Sequence, residues 1–127
     1  MRTHEPRIRR PAVRAALSAY VERVSGLFPD DVAAIILYGS QARGDASGDS
    51  DIDVLVVLRR ELPALRQALA DIAWQVQFEH GVVISDVIRT VEQLERMPTR
   101  RFPFYQSVQR DGVVLWRSMS GPMPAFG

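Results

Sequence analysis

The run VAAIILY, residues 32–38, leaves this chain few options. An apolar run with no polar alternation cannot lie half in water, so it reads as a strand buried on both faces. A second strand, Asp51 to Leu58, is β-branched in its body and acidic only at its start. The stretch GSQARGDASGDSDID, which joins them, opens on Gly39 and Ser40 and crowds Asp45, Asp49, Asp51 and Asp53 just where the second strand begins. Neighbouring carboxylates repel one another, so an ordinary fold gains little by gathering them there. A positive partner at that place would account for them.

The remaining pattern alternates helices with strands. From Pro11 to about Leu27, Val13, Ala16, Leu17, Tyr20, Val21 and Val24 recur at steps of three and four, which is one apolar helix face, with Gly26 and Pro29 to stop it. Ser40 to Arg43 is expected to make one helical turn closed by Gly44. Pro63 to about Gln77 carries Leu65, Leu69, Ile72 and Val76 on one stripe and is followed by Gly81. Val82 to Arg89 reads as a third strand with a single acid, Asp86. Short helices are expected over Thr90 to Met97 and over Arg101 to Arg110, the second starting near Pro103. Asp111 and Gly112 form a turn signal before a last strand, Val113 to Trp116. Residues 1–10 are a basic lead-in, 11–117 one domain and 118–127 a tail rich in Gly and Pro.

Composition narrows the classes. At 127 residues, 46% hydrophobic and 24% charged, the chain suits a single folded domain, and a net charge of +1 makes no case for a polyanion partner. The arginines of the lead-in have no aromatic residue interleaved to stack on bases, so direct nucleic-acid binding is not expected. The absence of cysteine excludes disulfide frameworks, zinc ribbons and thiol nucleophiles. All 16 basic residues are arginine, and without lysine a P-loop ATPase is excluded. No uncharged run approaches a membrane span, so a cytoplasmic location is expected.

Strand side chains alternate, so Asp51 and Asp53 point to the same face while Ile52 and Val54 point to the other. Two hard carboxylates on one face make half of a magnesium site, the rest of whose shell is usually water and substrate phosphate. Gly39 lets a phosphate approach the backbone and Ser40 offers a hydroxyl and an amide. The two halves meet if the first two strands run antiparallel. Asp86, on the strand reached by a helical crossover, is expected to complete a set of three carboxylates around two cations. Such a set suits in-line attack of a hydroxyl on phosphorus, with Asp86 as base.

These residues resemble the signature of the minimal nucleotidyltransferases of the DNA polymerase β-like superfamily: Gly-Ser, ten residues, then Asp-x-Asp, here Gly39-Ser40 and Asp51-Ile52-Asp53. The string from Ala42-Arg43-Gly44 to Ser50 is also similar to that family. The resemblance implies an α/β fold, a small mixed sheet of about four strands with helices packed mainly on one face. It further implies metal binding by Asp51, Asp53 and Asp86, and triphosphate binding by Gly39, Ser40 and Arg43. The similar subgroup is the antitoxin type found beside HEPN-domain toxins, which implies transfer of AMP from ATP to a toxin tyrosine with two magnesium ions. A non-catalytic antitoxin that masks its partner, and a small-molecule nucleotidyltransferase, stand as alternatives.

Other residues read plainly. Asp45 and Asp49 are expected as loop solubilisers, and His4 and His80 as surface or turn residues without ligand spacing. Ser40 has no histidine partner for a hydrolase triad. Trp74 and Trp116 are expected in core or edge packing. Phe102, Phe104, Tyr105 and Val108 fit either a core or an interface.

Overall fold

The computed structural model describes residues 8–47, 50–96 and 102–119. The lead-in as far as residue 7, including His4, Asp49, and the tail from residue 120 lie outside the described residues. Among the described residues the elements follow in the order α1 (Pro11–Leu27), β1 (Val32–Tyr38), α2 (Gly39–Arg43), β2 (Ile52–Leu58), α3 (Pro63–His80), β3 (Ile84–Thr90), α4 (Val91–Arg96), α5 (Pro103–Asp111) and β4 (Val113–Arg117). The strands form one mixed sheet in the order β3-β2-β1-β4. β1 runs antiparallel to both β2 and β4, and β2 runs parallel to β3 through the α3 crossover.

The two central strands are apolar throughout because both of their faces are covered. On one face α1 and α3 lay down Leu17, Tyr20, Val24, Leu69 and Val76 against Ile35, Leu37, Val54 and Val56. On the other, Leu94 of α4 with Tyr105 and Val108 of α5 pack on Ala34, Ile36, Leu55 and Val57. The two long helices thus share one face, and the short α4 and α5 serve the other. Fully burying a Leu or Val side chain contributes about 1.5–3 kcal/mol, so the α1–α3 layer supplies much of the fold's stability. A bidentate Arg23–Glu79 pair also links those helices, although it is exposed and adds little.

Several boundaries differ from the expectation, each for a local reason. α3 continues to His80 and is closed by Gly81 in the left-handed conformation, φ +64°. β3 begins at Ile84 rather than Val82, since Val83 still lies 55% exposed outside the core. Thr90 ends β3 and starts α4 as a capping box: Gln93 N–H donates to Thr90 Oγ1 at 3.1 Å, and Thr90 N–H donates to Gln93 Oε1 at 2.9 Å. α5 extends through Asp111, which belongs to the helix and is buried instead of forming a turn. Tyr105 and Val108 are core residues, whereas Phe102 is largely exposed. Trp116 packs partly against the core, but Trp74 is 65% exposed and stacks on Phe78 at 5.6 Å, contrary to the packing role expected for it.

β3 is an edge strand, and side chains engage several of its outward backbone groups. Ile84 N–H donates to Gln77 Oε1 at 2.8 Å, and the Ile88 carbonyl accepts from Arg66 and Arg89. An edge occupied in this way resists adding a further strand.

Candidate active site

The antiparallel register of β1 and β2 sets Tyr38 opposite Asp53 and Leu37 opposite Val54. The end of the first strand therefore lies beside the start of the second, as the joined site requires. The connecting loop is tied down. Gln41 is buried and donates to the Ser50 carbonyl at 3.4 Å, while Ser47 and Ser50 bond each other through backbone and hydroxyl. Ile52 N–H then donates to the Val83 carbonyl at 2.9 Å, fixing where β2 begins.

Gly39 is where the two halves touch. Its φ of +74° is a left-handed conformation that costs other residues about 1–2 kcal/mol. A Cβ placed on it would also collide with the Asp53 carboxylate. The left-handed turn thus favours glycine, and one Asp53 carboxylate oxygen occupies the space that a Gly39 side chain would need. Ser40 is half-buried, and its carbonyl accepts from Gly44 N–H at 3.0 Å and Asp45 N–H at 3.2 Å, closing the single turn of α2.

Arg43 ends that turn, four residues after Gly39 and so on the same side of it. Its Nε donates to Asp45 at 3.1 Å and its Nη1 to Asp111 at 2.8 Å. Asp45, expected only to solubilise the loop, is therefore an ion-pair partner. Asp111 also accepts two bonds from Arg110. Burial alone would lift the Asp111 carboxyl, but the bonds from Arg110 and Arg43 outweigh it and hold it below the usual range. Sequence reasoning missed Asp111, because an acid before glycine reads as a turn and nothing local announces a partner 68 residues away.

Asp51 is exposed and Asp53 half-buried. Burial, and after it the Asp51 charge, raise the Asp53 carboxyl above its ordinary value, with Arg43 pulling the other way. The Asp53 carboxyl thus feels both Asp51 and Arg43. Burial, followed by the Asp53 charge, pushes the adjacent Tyr38 phenol up to about 12, so it stays protonated at neutral pH. The Tyr38 ring meets Phe104 edge-on at 5.5 Å.

Asp86 does not join them. The parallel register pairs it with Val54, not with Asp53, so pleat alternation turns its side chain to the face that α1 covers. There it accepts a hydrogen bond from the fully buried Tyr20 hydroxyl at 3.1 Å. Burial raises the Asp86 carboxyl, opposed by the bonds from Tyr20 and from its own backbone N–H. Among the described residues no group of three His, Cys, Asp or Glu side chains gathers to hold a metal. The donors present, Asp51 and Asp53, fit one magnesium ion, which needs only one or two carboxylates beside water and phosphate. Among the described residues the expected second ion has no carboxylate set of its own. A cavity of about 460 Å³ between α1 and Leu115 contains none of these residues.

A glycine beside a carboxylate pair, with a guanidinium at the end of the same turn, has the chemistry to suit a nucleoside polyphosphate. The comparisons agree. A family model described as nucleotidyltransferase domain matches residues 17–111, and this chain belongs to that family and is an enzyme of that class. A Methanocaldococcus jannaschii protein provisionally named protein adenylyltransferase MJ0604 is 28% identical over 101 residues, covering 80% of this chain and 95% of that protein. A second from the same organism, provisionally named protein adenylyltransferase MJ0141, is 32% identical over 74 residues, 57% of this chain and 74% of its own length. Among solved structures, a toxin-antitoxin complex with AMP-PNP aligns with a TM-score of 0.55 at 22% identity, over 79% of this chain and 73% of that one. A Sulfolobus solfataricus protein provisionally described as a nucleotidyltransferase aligns with a TM-score of 0.50 at 21% identity, over 92% and 96%. A Shewanella oneidensis complex of a tri-AMPylated HEPN toxin with its MNT antitoxin aligns with a TM-score of 0.50 at 18% identity, over 84% and 73%. These structures share the fold. No described helix is long and apolar enough to cross a membrane.

Proposed function

We propose that this chain is a magnesium-dependent protein adenylyltransferase of the cytoplasm that moves AMP from ATP to a tyrosine hydroxyl of a HEPN-type toxin and so acts as its antitoxin. The observation that carries the reading is the contact of Gly39 with Asp53, which puts the phosphate-approachable backbone and the carboxylate pair at one corner. The similarity to protein adenylyltransferases, and to toxin-antitoxin complexes containing AMP-PNP or an AMPylated toxin, supports the choice of nucleotide and acceptor.

In this reading Gly39 and Ser40 receive the triphosphate through backbone and hydroxyl, and Arg43 offers a guanidinium to its oxygens. Asp51 and Asp53 would hold magnesium, which supplies charge stabilisation on the phosphate oxygens when bound. The acceptor oxygen attacks the α-phosphorus, the bond to the β-phosphate bridge breaks, pyrophosphate departs, and the hydroxyl proton passes to solvent water. The chain's own contribution is chiefly to orient and to hold charge. With Asp86 bonded to Tyr20, no proton transfer is routed through it. Incubation with labelled ATP, magnesium and a HEPN toxin is expected to label a toxin tyrosine. Label that survives the Asp51→Asn, Asp53→Asn double change would sink the mechanism.

The non-catalytic alternative draws on one observation, the separation of Asp86 from the other acids. Toxin rescue in cells decides between them: protection by the double variant equal to the parent's would make masking the relevant act.

A further inference from the structure

Arg43 has two carboxylate partners of different kinds. Asp45 lies on a loop with its side chain 61% exposed, whereas the Asp111 side chain is only 6% exposed and anchored at the end of α5. A carboxylate so deeply buried is costly unless paired, and here two guanidiniums satisfy it, Arg43 at 2.8 Å and Arg110 at 3.0 Å. Arg110 points outward with its side chain 67% exposed. Of the two, Arg43 ends the α2 turn that begins at Gly39, against which the Asp53 carboxylate lies, so the link from Asp111 to the carboxylate pair passes through it. The bonds to Asp45 and Asp111 occupy Nε and Nη1, which among the described residues leaves Nη2 for an incoming anion. A long side chain half in water would otherwise lose rotamer freedom on binding, at a cost in affinity.

We infer that Asp111 is a positioning residue: its buried carboxylate pre-orients the Arg43 guanidinium toward the triphosphate, with the exposed Asp45 as the partner that phosphate displaces. The inference rests on the proposed nucleotide site and assigns a role to a residue on an element that carries none of the family signature.

The test is a double-mutant cycle on the full chain, read by ATP titration with magnesium and by AMP transfer to the toxin. Each variant's unfolding midpoint is measured first and the assays run below it. Asp111→Asn keeps the shape and one acceptor oxygen, and is expected to raise Kd and KM for ATP about tenfold while kcat falls less than about threefold. Asp111→Glu, which keeps the charge, is expected to recover ATP affinity to within about threefold of the parent. In an Arg43→Ala background the Asp111→Asn change is expected to cost less than about twofold further. Unaltered ATP affinity in Asp111→Asn, in a parent that binds ATP, overturns the positioning role and leaves the proposed function standing. An undiminished effect in the Arg43→Ala background overturns it as well, since Asp111 would then act by another route. A parent chain that takes up no ATP removes the proposed function, and this inference with it.

Discussion

Asp53 and Asp86 stand on neighbouring parallel strands, both half-buried and both with carboxyls raised by burial, yet they face different worlds. Asp53 rests against a bare glycine backbone with a second acid and an arginine in range. Asp86 is held by a buried tyrosine under α1. The first is opposed only by the charge of Arg43, whereas the second has a hydrogen-bond partner in Tyr20. A polar group that is strained electrostatically and left accessible is poised to gain from a ligand, while one already hydrogen-bonded contributes to the fold.

The sharpest way to break this contrast is Asp53→Asn. AMP transfer is expected to fall at least about 100-fold, while the unfolding midpoint of the nucleotide-free chain stays level or rises. The sign follows from the raised carboxyl: charging it costs the folded state something that the amide does not. A fall in the midpoint comparable to that of a core truncation would show that Asp53 is structural.

Gly39→Ala comes next. The left-handed turn should cost about 1–2 kcal/mol of stability, and displacing the Asp53 carboxylate should weaken ATP binding with magnesium about tenfold or more. Equilibrium denaturation and calorimetric titration check the two effects separately. Wild-type affinity in a folded Gly39→Ala chain would detach the glycine from the site.

On the other side of the contrast, Tyr20→Phe should lower stability by about 1 kcal/mol through loss of the bond to Asp86, with ATP affinity changed less than about twofold. Asp86→Asn, measured the same way, should likewise leave ATP affinity nearly untouched. A large loss of affinity in either variant would move Asp86 into the nucleotide site.

The smallest effect is in pH. Asp53 binds its proton more tightly in the folded than in the unfolded chain, so its contribution favours folding at acid pH and is lost as pH rises through the folded value. Magnesium competes for the same oxygens, so magnesium-supported ATP binding should weaken on acidification at a higher pH than an ordinary aspartate would give. Asp51→Asn removes the neighbouring charge and should move the Asp53 titration, followed by carboxyl carbon NMR, downward. An unmoved titration would mean that the two acids do not share one site.

Much of the architecture was legible because it rests on local periodicity. The unbroken run of Val32 to Tyr38 announces a doubly covered strand, and the stripes of α1 and α3 announce the helices that cover one side of it. Gly39, Ser40, Asp51 and Asp53 were legible as a group because spacing on a strand and a loop converts directly into a shared corner once β1 and β2 run antiparallel. Element ends were less so. Thr90 and Gln93 cap each other, and Asp111 continues a helix, through contacts that compete with the local turn chemistry.

The sequence by itself determined the apolar layers, the glycine turn and the presence of acids at the head of β2, since these follow from side-chain type and spacing along one strand or helix. Only the tertiary structure decided which acids share a face. A shift of one residue in the pairing of β3 with β2 would exchange its faces, and the burial of Ile84 and Ile88 against the α1–α3 layer holds Asp86 between them on the face of Tyr20 instead of that of Asp53. It likewise decided that Asp111 meets Arg43, because an ion pair between distant segments exists only when packing brings α5 onto α2.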